Sequence, residues 1–196
     1  MFERFTVARM EELLKLKPVT SAGRAFIDEA LSKPSRNVQG TTQNVASDIP
    51  CPKMWGSAQG ESWSAENPFT LEHIFNEDTV GYTNQLPRIW LHYKGRNGRT
   101  VRTPYTADCL SISKQRGVVV EEWKPSSDRG KLEEIYPGRY VRDEDDNYTS
   151  PAIQLQLDPL GLSFVVRFSD EVSSAGHRNR TYLYPNGTYF VAQSWP

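Results

Sequence analysis

The chain has 196 residues, 37% hydrophobic and 11% aromatic, with 23 basic against 24 acidic side chains and a net charge of −1. That length suits one principal folded unit with a real core, and the composition excludes a disordered or collagen-like polypeptide. The balanced charge announces no polyanionic partner, so any nucleic-acid surface has to come from local segregation of charge.

The first segment, MFERFTVARMEELLKLKP, mixes charge with apolar residues and has neither the apolar block nor the cleavage site of an export signal. Val7, Met10, Leu13 and Leu14 recur at helical spacing up to Pro18. A second helix is expected from Ser21 to about Ser32, with Ala22, Phe26, Ile27 and Ala30 as its apolar stripe and Pro34 beyond its end. The two helices read as an N-terminal appendage. From Ser35 to Gly60 the chain is rich in Ser, Asn, Gln, Pro and Gly without period, which predicts an irregular connection. Ser64 can cap a helix running to about Phe75, with Pro68 in its first turn, where a missing N–H does no harm.

A block of strands follows. Arg88–Tyr93 and Thr100–Ser113 flank KGRNGR, in which Asn97-Gly98 is a two-residue hairpin signal, and Gly117–Trp123 is the next strand. Ser150-Pro151 opens a short helix carrying Ile153, Leu155 and Leu157, closed by Gly161 where a left-handed cap is favoured. Leu162–Phe168 (LSFVVRF) is the last core strand. Helix, three strands, helix, strand implies an α/β layer architecture with a mixed sheet. No window approaches the roughly 20 apolar residues of a membrane span. Cys51 and Cys109 lack the spacing of a zinc site or disulfide framework and read as free thiols in a reducing compartment, so a cytoplasmic protein with access to the chromosome is expected.

The chemistry concentrates in GVVVEEWKP. Side chains alternate faces along a strand, so Val118, Val120, Glu122 and Lys124 share one side while Val119, Glu121 and Trp123 share the other. A carboxylate and an ammonium two residues apart at a strand end can divide a hydrolytic task. The first holds a divalent cation, while the second orients or deprotonates water and stabilises phosphorane charge. Glu-x-Lys by itself is more often a solvated face. In the preceding strand Asp108 sits among Tyr105, Cys109, Leu110 and Ile112, where a carboxylate needs a partner. An arginine salt bridge would satisfy it, but a shared metal also explains why an acid ends one strand and Glu-x-Lys ends the next.

Tyr105–Ile112 followed by Val118–Pro125 resembles the paired strands of the PD-(D/E)XK nucleases, and the form Asp strand, then V-x-Glu-x-Lys-Pro, resembles the TnsA endonuclease family. CPKM at 51–54, ESWSAE at 61–66 and NQLP at 84–87 match upstream in the family's order, and GLSFVVRF with RNRTYL continues the pattern downstream. The resemblance covers roughly residues 45–183, which makes 1–44 an N-terminal helical extension and arm and 184–196 a C-terminal tail. It implies a restriction-endonuclease-like mixed sheet flanked by helices. It also implies an Mg²⁺-dependent nuclease, with Mn²⁺ able to substitute, that cuts the 5′ ends of a transposon. The implied partners are transposon-end DNA, a DDE-type (TnsB-like) recombinase subunit and an ATPase regulator (TnsC-like). Carried over, Glu66, Asp108 and Glu122 are metal ligands or water organisers and Lys124 is the catalytic lysine. Ala107 stands where many members have proline, and the family's helical C-terminal domain has no counterpart in the short segment after Glu171. The chain is then either a fragment of a larger or fused transposase, or it docks by another surface. The alternatives are a catalytically idle module of the same fold that binds DNA or protein, and a restriction or repair nuclease.

Weaker signals surround this core. Lys94, Arg96, Arg99 and Arg102 form a basic hairpin that either grips phosphates or is simply solvated. His73 lies seven residues after Glu66 and so on the same helix face, near the expected site; without a second ligand at metal spacing, a hydrogen-bonded structural role is the stronger reading. Gln85 matches a family position and either touches metal-bound water or fixes its loop. Asp143–Asp146 lacks EF-hand spacing and reads as a solvated loop.

Overall fold

The computed structural model describes residues 4–32, 47–53, 57–60, 66–84, 86–173, 176 and 180, with backbone alone for 47–50, 57–60 and 66–67. Helices α1 (Val7–Leu16) and α2 (Ser21–Ser32) fall where their apolar spacing puts them. Thr6 caps α1 by accepting from the Arg9 N–H at 3.2 Å. A two-stranded ribbon, β1 (Ser47–Pro50) with β2 (Ser57–Gly60), runs through the stretch expected to be irregular. Helix α3 (Glu66–Phe75) leads into β3 (Thr79–Asn84), a strand that the sequence reading did not foresee. Gly81, Thr83 and Asn84 dilute its apolar pattern, yet every residue of β3 is buried.

The hairpin β4 (Ile89–Lys94) and β5 (Thr100–Tyr105) stands apart from the main sheet. Its turn is not the two-residue type expected: Gly95 N–H bonds the Arg99 carbonyl at 3.0 Å, which leaves Arg96, Asn97 and Gly98 as a three-residue loop. The predicted long strand 100–113 is broken, because β6 (Cys109–Ser113) leaves the hairpin after Tyr105 and joins the main sheet. β7 (Gly117–Lys124) follows, then α4 (Leu132–Ile135), a small ribbon of β8 (Val141–Arg142) and β9 (Tyr148–Thr149), α5 (Pro151–Leu157) and β10 (Ser163–Phe168). As the sequence indicated, Ser150 caps α5 and Gly161 turns the chain in the left-handed region at φ 70°.

The main sheet has the order β10-β7-β6-β3, with β10 parallel to β7 and the other pairs antiparallel. The fold is thus α/β with a mixed sheet flanked by helices. Leu110, Ile112, Val118, Val120, Val166 and Phe168 form the core on one face, together with Met10, Leu13, Leu14, Ile27, Ile153 and Leu157 from α1, α2 and α5. The two N-terminal helices are therefore part of the main core rather than an appendage to it. On the opposite face, α3 lays Phe69, Leu71 and Ile74 against Tyr82, Cys109 and Trp123. A register shift between Thr79 and Gly81 lets β3 send Val80 to one core and Tyr82 to the other, as an inserted residue inverts the alternation. Among the described residues no helix is long and apolar enough to cross a membrane.

Candidate active site

Strand pairing decides which acids meet. Cys109 pairs with Glu121 and Leu110 with Val120, so alternation places Asp108 on the face of Glu122 and Lys124, at the end of β7. The Asp108 carboxylate accepts the Trp123 N–H at 2.7 Å, where β7 continues beyond the end of β6. Glu122 is 4% exposed and has three donors: Lys124 Nζ and the Tyr105 hydroxyl donate to it, and the Tyr140 hydroxyl donates at 3.2 Å. Burial works against the charge on Lys124, but Glu122 and then Asp108 outweigh it and hold the ammonium pKa above its ordinary value. Burial, reinforced by Glu122, pushes the Tyr105 and Tyr140 phenols upward, so both stay hydrogen-bond donors. Asp108, Glu122 and Lys124 share one neighbourhood.

The neighbouring carboxylate, Glu121, faces the other way. It is fully buried and accepts from Ser111 Oγ at 2.5 Å and Trp123 Nε1 at 3.0 Å, with His73 Nε2 at 3.2 Å. Arg167 lies 3.6 Å away and also meets Glu72 at 3.1 Å. Desolvation alone would raise the Glu121 pKa, but His73 and the donated hydrogen bonds overcome it and hold the carboxyl far below its usual range. Beside this network is an open cleft of about 430 Å³ lined by Glu72, His73, Ser111, Arg116 and Arg167 among others.

His73 therefore belongs to the structural network behind the sheet and not to the expected site, although it shares a helix with Glu66. α3 packs on the Glu121 face, and one step along β7 reverses the direction of the side chain. Glu72 is on that same face, bound to Arg167. The backbone of Glu66 begins α3, but its side chain, like the whole of Gln85, lies outside the described residues. On the hairpin, Arg96 and Arg99 are exposed, Lys94 Nζ donates to Thr100 Oγ1 at 2.9 Å, and Arg102 stacks 4.7 Å from the Trp90 ring centre. Asp143–Asp146 form a turn between β8 and β9, in which Asp143 accepts the Asp145 and Asn147 N–H groups.

The sequence alone does not mark Tyr105 and Tyr140 as holders of Glu122, or Arg139 beside them. Tyr105 was visible as an aromatic at a strand end, whereas YPGRY at 136–140 carried no periodicity that tied it to β7.

No group of three or more His, Cys, Asp or Glu side chains among the described residues is placed to hold a metal. The Asp108 and Glu122 pair supplies hard carboxylate oxygens, the donor type that suits Mg²⁺, which binds through one or two carboxylates and otherwise keeps water or phosphate. Compared with known proteins, the chain matches no family model and no curated protein sequence.

Proposed function

We propose that this chain is a divalent-metal-dependent DNA endonuclease with a restriction-endonuclease-like fold, acting as the 5′-end-cutting subunit of a heteromeric, TnsA-like transposase. The observation that carries the reading is the meeting of Asp108, Glu122 and Lys124 on one face, at the end of two adjacent strands. A purely structural ion pair accounts for Glu122 and Lys124, and the Trp123 N–H occupies one oxygen of Asp108; what favours the nuclease reading is that both carboxylates and the ammonium share one face at the strand ends. Asp108 and Glu122 would hold Mg²⁺ or Mn²⁺, with Glu66 as the third acid; the ion would supply Lewis-acid charge on the scissile phosphate and an acidified water.

The chain's own contribution is positional. Tyr105 and Tyr140 fix the direction of the Glu122 carboxylate, and the Trp123 N–H fixes Asp108. Lys124, which donates to Glu122, is placed to stabilise charge that develops on phosphoryl oxygens. Exposed Arg96 and Arg99 would grip the flanking backbone. The DDE-type recombinase and ATPase regulator are the partners in this reading. Its test is an Mg²⁺ or Mn²⁺ titration of the chain with its partner transposase on transposon-end DNA. Metal-dependent 5′ cuts that vanish with Asp108→Asn support it, and cutting that survives Asp108→Asn and Lys124→Ala removes it.

A further inference from the structure

Arg139 is held by aromatic rings and not by an ion pair. Its guanidinium lies 4.5 Å from the ring centre of Tyr105, 5.2 Å from that of Tyr140 and 5.3 Å from that of Tyr136. Among the described residues no carboxylate pairs with it directly, although Glu122 attracts its charge from farther off, and its Nε is buried without a hydrogen-bond partner. By contrast Arg24, Arg129, Arg142 and Arg167 each bind carboxylates. Ring faces orient a guanidinium but use none of its five N–H donors, so Arg139 is held in a fixed plane with its hydrogen-bonding capacity unspent.

The loop that carries it is fixed on three sides. The Arg139 N–H bonds the Tyr136 carbonyl at 3.1 Å, and the Arg139 carbonyl accepts Ser150 Oγ at 2.6 Å. Gly138, at φ +77°, sits so close to the end of β4 that a Cβ there would be 1.9 Å from the Lys94 carbonyl oxygen. The loop is thus pressed onto the turn end of the basic hairpin. On its other side, Lys124 Nζ lies 5.8 Å from the centre of the same Tyr136 ring. The turn end of the basic hairpin, Arg139 and Lys124 are thus linked through Gly138 and the Tyr136 ring.

We propose that Arg139 is a phosphate-binding residue of this site, taking a non-scissile backbone phosphate of the DNA strand between the basic hairpin and Lys124. Planar forked recognition of a phosphate oxygen pair is what an aromatic-clamped guanidinium offers and a flexible lysine does not. The inference rests on the nuclease reading of the same site and adds to it a ligand contact made by a residue outside the carboxylate–lysine set.

The test measures binding of the full chain to a fluorescein-labelled DNA duplex in EDTA, across a salt series, so that no cutting enters the signal. Wild type is expected to bind at low salt, and Arg139→Gln to weaken binding several-fold and flatten the slope of log K against log salt by about 0.9, the loss of one phosphate contact. Arg139→Lys should retain most of the slope. Phenylglyoxal modification of the unmutated chain, read by mass spectrometry, supplies a second readout independent of how the variants fold, and DNA should protect Arg139. An unchanged slope in a folded Arg139→Gln variant overturns the proposal, as does modification of Arg139 that DNA leaves unaltered, or absence of DNA binding at any salt. The nuclease reading fails separately, if cutting survives Asp108→Asn and Lys124→Ala, and that result would leave the salt slope untouched.

Discussion

Glu121 and Glu122 are consecutive acids that the pleat of β7 sends to opposite faces, and substitution should separate a carboxylate that holds the fold from one placed for chemistry. Glu121→Gln keeps the shape but removes the charge that faces His73 and Arg167, while Glu121→Ala also strands the Ser111 and Trp123 donors. Breaking a buried, hydrogen-bonded charge network from one side costs about 3–5 kcal/mol. In a protein of this size about 1 kcal/mol moves the melting temperature by roughly 2–4 °C, so Glu121→Ala should lower it by about 6–20 °C. Differential scanning calorimetry and urea titration measure this directly. The charge part has a pH signature. Because the folded pKa of Glu121 is depressed, its stabilisation is present above the ordinary value of about 4.5 and is lost as pH falls from there toward the folded value. The gap between wild type and Glu121→Gln should therefore be widest near neutrality and narrow in acid. A Glu121→Ala variant that melts with wild type at pH 7, or a gap that widens in acid, would refute this account of the network.

Three other outcomes are expected. Asp108→Asn, Glu122→Gln and Lys124→Ala should each lower metal-dependent cutting by about 100–1000-fold in single-turnover assays; Glu122→Gln should also melt early, since two buried tyrosine hydroxyls and Lys124 rest on it. Glu66→Gln should block cutting, while Glu72→Gln, which loosens only the contact to Arg167, should cut normally with stability lower by about 1–3 kcal/mol; loss of cutting in Glu72→Gln would contradict its assignment to the Arg167 contact. Gly138→Ala should be destabilised by at least about 1–3 kcal/mol, because the site has both a positive φ and the Lys94 carbonyl where the methyl would go, and a wild-type urea midpoint would contradict the described loop.

Local patterns were enough for much of this molecule. Apolar spacing and proline brackets set α1 and α2, Ser150-Pro151 and Gly161 bounded the last helix, and the alternation of GVVVEEWK by itself assigned Glu122 and Lys124 to one face of β7. These features arise from residues close in the chain, where backbone geometry alone relates side chain to side chain. Long-range packing decided the rest. Nothing in TVGYTN announces a buried strand, because its place in the sheet comes from pairing with β6 and not from its own periodicity. Helix geometry set His73 on the Glu66 face, but only the docking of α3 on the back of the sheet turned it toward Glu121. The Tyr105, Tyr140 and Arg139 cluster joins distant segments of the chain through contacts that no local rule relates, so the environment that gives Glu122 its direction exists only in the folded chain.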